Sequence, residues 1–269
     1  MHVLVFGGSR NIGYFTTLRL LNQGHSATLL LRNTSVFDND VRMQPHVESG
    51  RAQLVQGDAL VSDDVKSAWD KATDYGRAVD YVIFTIGATP DMSSFKLTKG
   101  FTINPPNITT KAILNVLCTM PDSVPRPKLI AATSIGVTKD SPLPLVYKPL
   151  YGYLLREPHA DKLGLERVLA HVSGREWNDR EPRTEITTVD EVKWQDRKGL
   201  PPFGSLEILI LRLPIFADSN HKSAPLPLTT NAGLSGTYTI SREEVAHFIA
   251  ESAVKSWDQF KGKAVTVSR

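Results

Sequence analysis

The segment that most restricts the fold of this chain is VLVFGGSRNIG, residues 3–13. The apolar run HVLVF has the length and composition of a buried strand. The following NIGYFTTLRLLNQ has an apolar residue at every third position, as on one face of a helix. Gly7, Gly8 and Gly13 lie at the junction. A strand, a glycine-rich turn and a helix in this order predict the phosphate-binding corner of a dinucleotide-binding fold.

Each glycine has a predicted role at this corner. Gly7 permits the tight turn, Gly8 leaves room for the backbone to approach a pyrophosphate, and Gly13 allows close packing of the helix. The backbone N–H groups of residues 9–13 lie at the positive end of the helix dipole, where an anion binds. Valine at Gly8 is therefore expected to block the phosphates with little loss of fold. The alternative is a tight strand–helix turn without a ligand.

The rest of the chain continues the alternation of strands and helices. Strands are predicted at 2–6, 27–32, 52–58, 79–87, 128–134 and 206–214, and an edge strand at 263–268. Helices are predicted at 11–23, 62–72 with Ser62 as N-cap, 105–120, and 241–257 with a Ser241–Glu244 capping box. Strands that are apolar throughout are buried on both faces, which indicates a parallel sheet covered by helices. We therefore predict one α/β domain over 1–269, a doubly wound Rossmann fold, in which 171–236 adds solvated loops or a substrate-side region.

Composition excludes several classes of function. The net charge is +3 with acids and bases interspersed, so no nucleic-acid surface is expected. No apolar run reaches the ~18 residues of a membrane span. The single cysteine, Cys118, cannot form an internal disulfide, and the chain begins directly with a strand rather than a signal peptide. A cytoplasmic protein without a metal site is expected.

The ends of the next strands indicate which cofactor binds. Arg32 stands at the end of the second strand, where an acid would select NAD and a base accommodates the 2′-phosphate of NADP. Arg10 adds a second positive charge, so NADP is predicted. Asp58, beside Ala59, accepts a hydrogen bond from the adenine amino group or serves only its own turn. After the fourth strand, TIGA lets the backbone pass close to the ribose and nicotinamide. The predicted cofactor-binding set is Gly7, Gly8, Ser9, Arg10, Asn11, Ile12, Gly13, Arg32, Asp58, Ala59, Thr85, Gly87 and Lys162.

These motifs together resemble a known family. VFGGSRNIG, LLLRN, QGDA, FTIGA, a strand ending in ATS, DKLGLERVL, LRLP and ISREEVAHFI are similar to an atypical short-chain dehydrogenase/reductase, nearest to the NAD(P)H-binding, NmrA-like proteins common in fungi. The resemblance covers most of the chain and is weakest at 171–205 and 218–236. It implies a Rossmann fold and a role among NADPH-dependent reductases, isomerases and cofactor-sensing regulators.

The same resemblance implies a serine, a tyrosine and a lysine, the last two spaced Tyr-x-x-x-Lys. Ser134, with Thr133 beside it, matches the serine that polarises a carbonyl, and Lys162 matches the lysine that holds the nicotinamide ribose. Pro158 stands where the tyrosine is expected.

Three alternatives fill the place of the missing tyrosine. Tyr151 or Tyr153, in PLYGYLL, reaches the site from a shifted backbone, or His159 gives a proton near neutral pH. In the third alternative no side chain donates, and the site carries out another reaction or none. The expected function is an NADPH-dependent reduction of a carbonyl or conjugated double bond in a small apolar molecule, as in secondary metabolism, by a monomer or homodimer. The alternatives are a regulator without turnover and a non-redox isomerase or cyclase.

Overall fold

An eight-stranded sheet organises the chain. The computed structural model describes residues 1–87, 95–98, 100–122, 125–137, 152–177, 194–216, 228–229 and 239–267. The strands of the large sheet are β1 His2–Phe6, β2 Ser26–Leu31, β3 Ala52–Gln56, β4 Tyr81–Phe84, β7 Lys128–Ser134, β8 Ile208–Leu213, β10 Leu228–Thr229 and β12 Ala264–Val267. Two short pairs join β5 Phe95–Lys96 to β6 Gly100–Phe101, and β9 Ile215–Phe216 to β11 Thr239–Ile240.

Helices cover both faces of this sheet. They are α1 Asn11–Asn22, α2 Gln44–Glu48, α3 Ser62–Ala72, α4 Ile108–Cys118, α5 Arg156–Ser173, α6 Arg242–His247 and α7 Trp257–Phe260, with a π-helix at Phe248–Ala253 between the last two. Single 3₁₀ turns occur at Thr34–Phe37, Asp74–Gly76 and Trp194–Asp196. No helix in the described ranges is long and apolar enough to cross a membrane.

The strand order defines where a ligand crevice lies. The order is β10-β12-β8-β7-β4-β1-β2-β3, and every neighbouring pair is parallel except β10 with β12. The chain runs outward from β1 to β3 and then returns to the other side of β1 at β4, so the carboxyl ends of β1 and β4 flank a topological switch point. The predicted doubly wound α/β fold is confirmed. The prediction of β12 as an edge strand is wrong, because β10 pairs with its outer side.

The apolar strands are explained by a core on each face. Along β1, Val3 and Val5 join the cluster beneath α1 and the C-terminal helices, whereas Leu4 and Phe6 join the cluster beneath α3, α4 and α5. All four side chains are fully buried. An unbroken apolar run is therefore required wherever helices cover both faces of the sheet.

Two helix starts differ from the sequence prediction, and the capping box of a third helix matches it. Val61, not Ser62, is the N-cap of α3, and no side chain caps that end. Helix α4 begins at Ile108, after the prolines, because Asn107 adopts a left-handed conformation with φ 58°. The capping box of α6 is confirmed: Ser241 Oγ accepts from the N–H of Glu244 at 3.2 Å, and the Glu244 carboxylate accepts from the N–H of Ser241 at 2.9 Å.

Residues 194–206 pack over the C-terminal halves of α4 and α5. Arg197 donates to Asn115 Oδ1 at 2.8 Å, and the rings of Trp194 and Phe203 lie 5.4 and 5.6 Å from that of His171. The C-terminal ends of these helices lie at the amino ends of the parallel strands, away from the glycine turn. Residues 178–193, 217–227 and 230–236 lie outside the described residues, so the substrate-side role of 171–236 stays a prediction.

Candidate functional site

The turn between β1 and α1 is closed so tightly that only glycine fits at two positions. Gly7 has φ +90°, and a Cβ there would lie 2.7 Å from the carbonyl carbon of Thr85. A Cβ on Gly13 would lie 2.3 Å from the carbonyl oxygen of Gly7. Non-bonded heavy atoms do not approach so closely, so both residues have the roles in the turn and in helix packing that the sequence predicts.

Thr85, the residue after β4, holds this turn in place. Its hydroxyl lies 3.2 Å from the carbonyl oxygens of both Phe6 and Gly7, to which it donates, and it would be 2.5 Å from a Cβ on Gly13. The predicted role of Thr85 was backbone proximity to the ribose. The structure adds a side-chain role that the sequence pattern did not reveal, because it depends on β4 lying beside β1. Gly87, further along, is exposed, and a Cβ there would meet nothing within 4 Å.

A side chain added at Gly8 would point into the core, whereas the sequence predicts that this position borders the phosphate crevice. A Cβ at this position would lie 2.8 Å from Leu29 Cδ2 and 3.1 Å from Val5 Cγ1, which are core atoms. This geometry contradicts the expectation that a side chain at Gly8 would point towards the phosphates. The added side chain would instead overpack the core beneath the turn.

Gly8→Val is accordingly expected to destabilise the fold by about 1–3 kcal/mol, because the new methyl groups displace Leu29 and Val5. Thermal unfolding measures this effect, and the expected fall in Tm is roughly 2–12 °C for a chain of this size. Gly152→Ala is the matched control, since a Cβ at Gly152 meets no atom within 4 Å. An unchanged Tm for Gly8→Val would contradict the buried orientation.

The N-terminus of α1 is open to an anion. Its N-cap, Arg10, has an extended backbone and makes no capping hydrogen bond through its side chain, and the first turn contains no acidic residue. Ser9 is half-buried, Asn11 is exposed with φ 55°, and the side chain of Ile12 lies in the core, so Ile12 offers only its N–H. An uncapped helix end with a positive dipole fits a pyrophosphate.

Two exposed arginines flank this helix end. Arg32 follows β2 directly, and neither Arg10 nor Arg32 forms an ion pair with any residue that the structure describes. Asn33 Oδ1 then accepts from the N–H and hydroxyl of Ser35 at 3.0 and 2.8 Å, which closes a turn after Arg32. Free guanidinium groups without an acid at this strand end fit a phosphomonoester beside a ribose.

Asp58 and Ala59 serve the structure after β3. Asp58 Oδ1 accepts from the N–H of Leu60 at 2.9 Å, its own N–H donates to Asp64 at 2.8 Å, and the Ala59 carbonyl accepts from Asn115 at 2.9 Å. This supports the turn interpretation of Asp58. The second carboxylate oxygen of Asp58 has no hydrogen bond within the described residues, so the adenine interpretation stays a prediction.

Ser134 and Lys162 lie on neighbouring elements beyond the switch point. Ser134 is the last residue of β7, and Lys162 lies on the first half of α5; both are half-buried. Burial lowers the pKa of Lys162 from its ordinary 10.5, and the nearby carboxylates of Asp161 and Glu166 oppose that shift. Among the described residues no side chain forms a hydrogen bond or ion pair with the Lys162 ammonium. The described part of the chain also contains no group of three or more metal-ligating side chains.

Two carboxylates fix α5, and the sequence did not identify either role. Asp161 accepts from the N–H groups of Thr109 and Thr110 at 2.9 and 3.0 Å, so it caps α4 from a neighbouring helix. Glu166, which is 1% exposed, pairs with Arg212 of β8 at 2.6 Å. Both contacts are long-range, and a spacing pattern along one helix cannot predict them.

The structure describes two of the three proton-donor candidates, in different settings. Burial and the Lys162 ammonium lower the pKa of His159 to about 4, so His159 is neutral near pH 7 and does not fit a donor that ionises there. Tyr153 is 41% exposed, and its hydroxyl donates to the Leu97 carbonyl in the loop between β5 and β6. Tyr151 lies outside the described residues.

Comparison with solved structures identifies the fold. A short-chain dehydrogenase/reductase of the wide type from Veillonella parvula DSM 2008, in complex with NADP, superposes with a TM-score of 0.61 at 12% identity, over 100% of this chain and 94% of that one. An alcohol dehydrogenase from Thermococcus sibiricus, complexed with 5-hydroxy-NADP, gives 0.61 at 15% identity, over 99% and 95%. The chain has the Rossmann fold of these two structures. An anaerobillin reductase from Escherichia coli O157:H7 is also similar, with a TM-score of 0.53 at 15% identity, over 99% and 96%.

Sequence comparison adds a relative of higher identity than these structures. Reductase pytE of Aspergillus terreus is 23% identical over 227 residues, which are 80% of this chain and 76% of that protein. No family model matches the chain.

Proposed function

We propose that the chain is an NADPH-dependent oxidoreductase that reduces a carbonyl or a conjugated double bond of a small apolar molecule. The observation that carries the proposal is the glycine turn, closed by Thr85 below an uncapped helix and flanked by Arg10 and Arg32, neither of which pairs with an acid in the described part of the chain. The turn fits a pyrophosphate, and the two guanidiniums fit the 2′-phosphate of NADP. The similarity to structures that contain NADP and to a protein named a reductase supports the same assignment.

The residues of the second half of the site are proposed to bind and polarise the reactants. NADPH, when bound, supplies a hydride from its nicotinamide ring to the substrate carbon. Lys162 is proposed to donate hydrogen bonds to the nicotinamide ribose, which fits a half-buried ammonium that has no partner among the described residues. Ser134 is proposed to donate to the substrate oxygen, on which negative charge develops as the hydride arrives.

The proton that completes the reduction is proposed to come from a tyrosine hydroxyl. Tyr151 is preferred, because the Tyr153 hydroxyl donates to Leu97 and His159 is neutral near pH 7. A phenol close to Lys162 has its pKa lowered by the ammonium charge, which makes it a stronger acid near neutral pH. This assignment is a proposal about a residue outside the described part of the chain.

A second candidate function is a cofactor-binding regulator without turnover. The specific observation in its favour is Pro158 in the place of the expected tyrosine, on the first turn of α5. Both candidates require the same cofactor half, so they differ only in whether hydride leaves the bound NADPH.

One pair of measurements tests the proposal. Isothermal titration of the wild type is expected to show tighter binding of NADPH than of NADH, and NADPH absorbance at 340 nm is expected to fall with a panel of ketones, quinones and enones. Equal affinity for the two nucleotides would contradict the cofactor assignment. Tight NADPH binding without consumption on any panel member would contradict the reductase and support the regulator.

A further inference from the structure

The buried carboxylate of Glu166 forms a closed cluster with two strands of the sheet. Its Oε1 accepts from Thr133 Oγ1 at 2.7 Å and from Arg212 Nε at 3.1 Å. Its Oε2 accepts from Arg212 Nη2 at 2.6 Å and Nε at 3.2 Å. Both oxygens are therefore engaged, and the Arg212 contact is the two-pronged arrangement in which a guanidinium best holds a carboxylate.

This cluster lies next to both proposed active-site residues. Thr133 directly precedes Ser134 on β7, and Lys162 precedes Glu166 by four residues on α5. Side chains four residues apart on a helix are neighbours on one face, and a lysine and a glutamate so placed usually attract each other. The Glu166 charge does act on Lys162, because it opposes the lowering of the lysine pKa.

Among the residues that the structure describes, no acid whose charge reaches Lys162 is nevertheless free to pair with it. The two carboxylates whose charge reaches Lys162 are those of Asp161 and Glu166. Asp161 is occupied by the N–H groups of Thr109 and Thr110, and Glu166 by Arg212 and Thr133. Lys162 is thus beside two negative charges and bonded to neither.

We propose that Arg212 is a positioning residue that keeps Lys162 available for the cofactor by occupying both oxygens of Glu166. The inference rests on the proposed function, since it gives the freed ammonium the nicotinamide ribose as its partner. Without Arg212, the Glu166 carboxylate would turn to Lys162 one helical turn away, and the ammonium would be withdrawn from the ribose. Thr133 has a smaller share in the same task.

The proposal predicts an unusual pattern of rescue. Arg212→Gln is expected to weaken NADPH binding about tenfold, the loss of one charge-assisted hydrogen bond from Lys162. Adding Glu166→Gln to Arg212→Gln is expected to restore affinity to within about twofold of wild type, because no carboxylate then competes for Lys162. A double variant that binds NADPH no better than the single one would overturn the proposal. Because the double variant also removes an unpaired buried charge, the labelling of Lys162 distinguishes the proposed role from a merely structural one.

Two further variants keep the proposal testable if Arg212→Gln does not fold. Arg212→Lys retains the positive charge but cannot hold both oxygens, so a roughly threefold loss of affinity is expected. Arg126→Gln is the matched control, because this half-buried arginine bonds to Ser205 at 2.8 Å, far from Lys162 in the fold. Affinity for NADPH is measured by isothermal titration, after thermal melting has shown which variants are folded. If Arg212→Gln does not fold, the test depends on Arg212→Lys. A wild-type affinity for NADPH in that variant would then contradict the proposal.

A cofactor-free measurement separates this proposal from the proposed function. Trace acetylation by acetic anhydride, read by mass spectrometry at Lys162, reports how free its amine is. Reactivity is expected to fall about fivefold in Arg212→Gln, as an ion pair holds the ammonium, and to return in the double variant. If the three proteins show this labelling pattern although the wild type does not bind NADPH, the proposed function fails. In that case the proposed effect of Arg212 on Lys162 is supported. Equal labelling in all three proteins would overturn that effect itself.

Discussion

Tyr151→Phe is expected to lower the rate of hydride transfer from NADPH by ~10²–10⁴-fold, the range lost when a general acid is removed. The substitution deletes one hydroxyl and keeps the aromatic ring, so substrate binding is expected to change little. Single-turnover measurement of NADPH oxidation isolates the chemical step from product release. The affinity for NADPH is expected to stay within about twofold, since the proposed phosphate contacts come from the turn between β1 and α1 and from Arg32.

Tyr153→Phe and His159→Gln are the matched comparisons for that experiment. Tyr153 donates to the Leu97 carbonyl, and burial beside Lys162 lowers the pKa of His159 to about 4. Neither variant is therefore expected to lose more than a few-fold in rate. A large loss in Tyr153→Phe alone would show that its bond to Leu97 opens in the reactive complex. Wild-type rates in all three variants would exclude every side chain named here as the proton donor.

Arg32→Asp is expected to weaken NADPH binding by about 2–4 kcal/mol, because it removes one or two charge-assisted hydrogen bonds to the 2′-phosphate and places a like charge there. The affinity for NADH is expected to hold or rise, since an acid at the end of β2 accepts from the ribose hydroxyls. Titration of both nucleotides against both proteins measures the change in preference.

The control for this prediction is Lys198→Asp. Lys198 is an exposed base in the segment over α4 and α5, and its replacement by aspartate alters the net charge by the same amount. NADPH affinity is expected to be unchanged in that variant at physiological salt, because surface charges beyond ~8 Å are screened. Equal weakening in both variants would assign the effect to net charge rather than to a bond at Arg32.

The glycine turn that is proposed to bind the cofactor was predictable from sequence because its signals are local. A tight turn needs Gly7 within a few residues of the strand it ends, and the base at Arg32 directly follows its strand. The spacing of apolar residues was equally informative where residues close in sequence decide the structure. The predicted bounds of β7 and α3 match the observed Lys128–Ser134 and Ser62–Ala72. In these stretches, residues close together in sequence determine the local structure.

The remaining contacts join residues far apart in sequence. Thr85 reaches back 78 residues to Gly7, and Thr133 meets Glu166 across 33. The error at Gly8 has the same origin, since the direction of its absent Cβ depends on Leu29 of the next strand. Such pairs follow from the strand order, which a single sequence implies only in outline.

The covering of α4 has a consequence for assembly. Eight of its eleven residues are buried, and residues 194–206 pack over its C-terminal half. A helix with so many buried positions has little apolar surface left to offer to another subunit. If two copies of this chain associate, their contact is therefore expected to form without α4, and the symmetry axis of such a pair would lie elsewhere on the molecule.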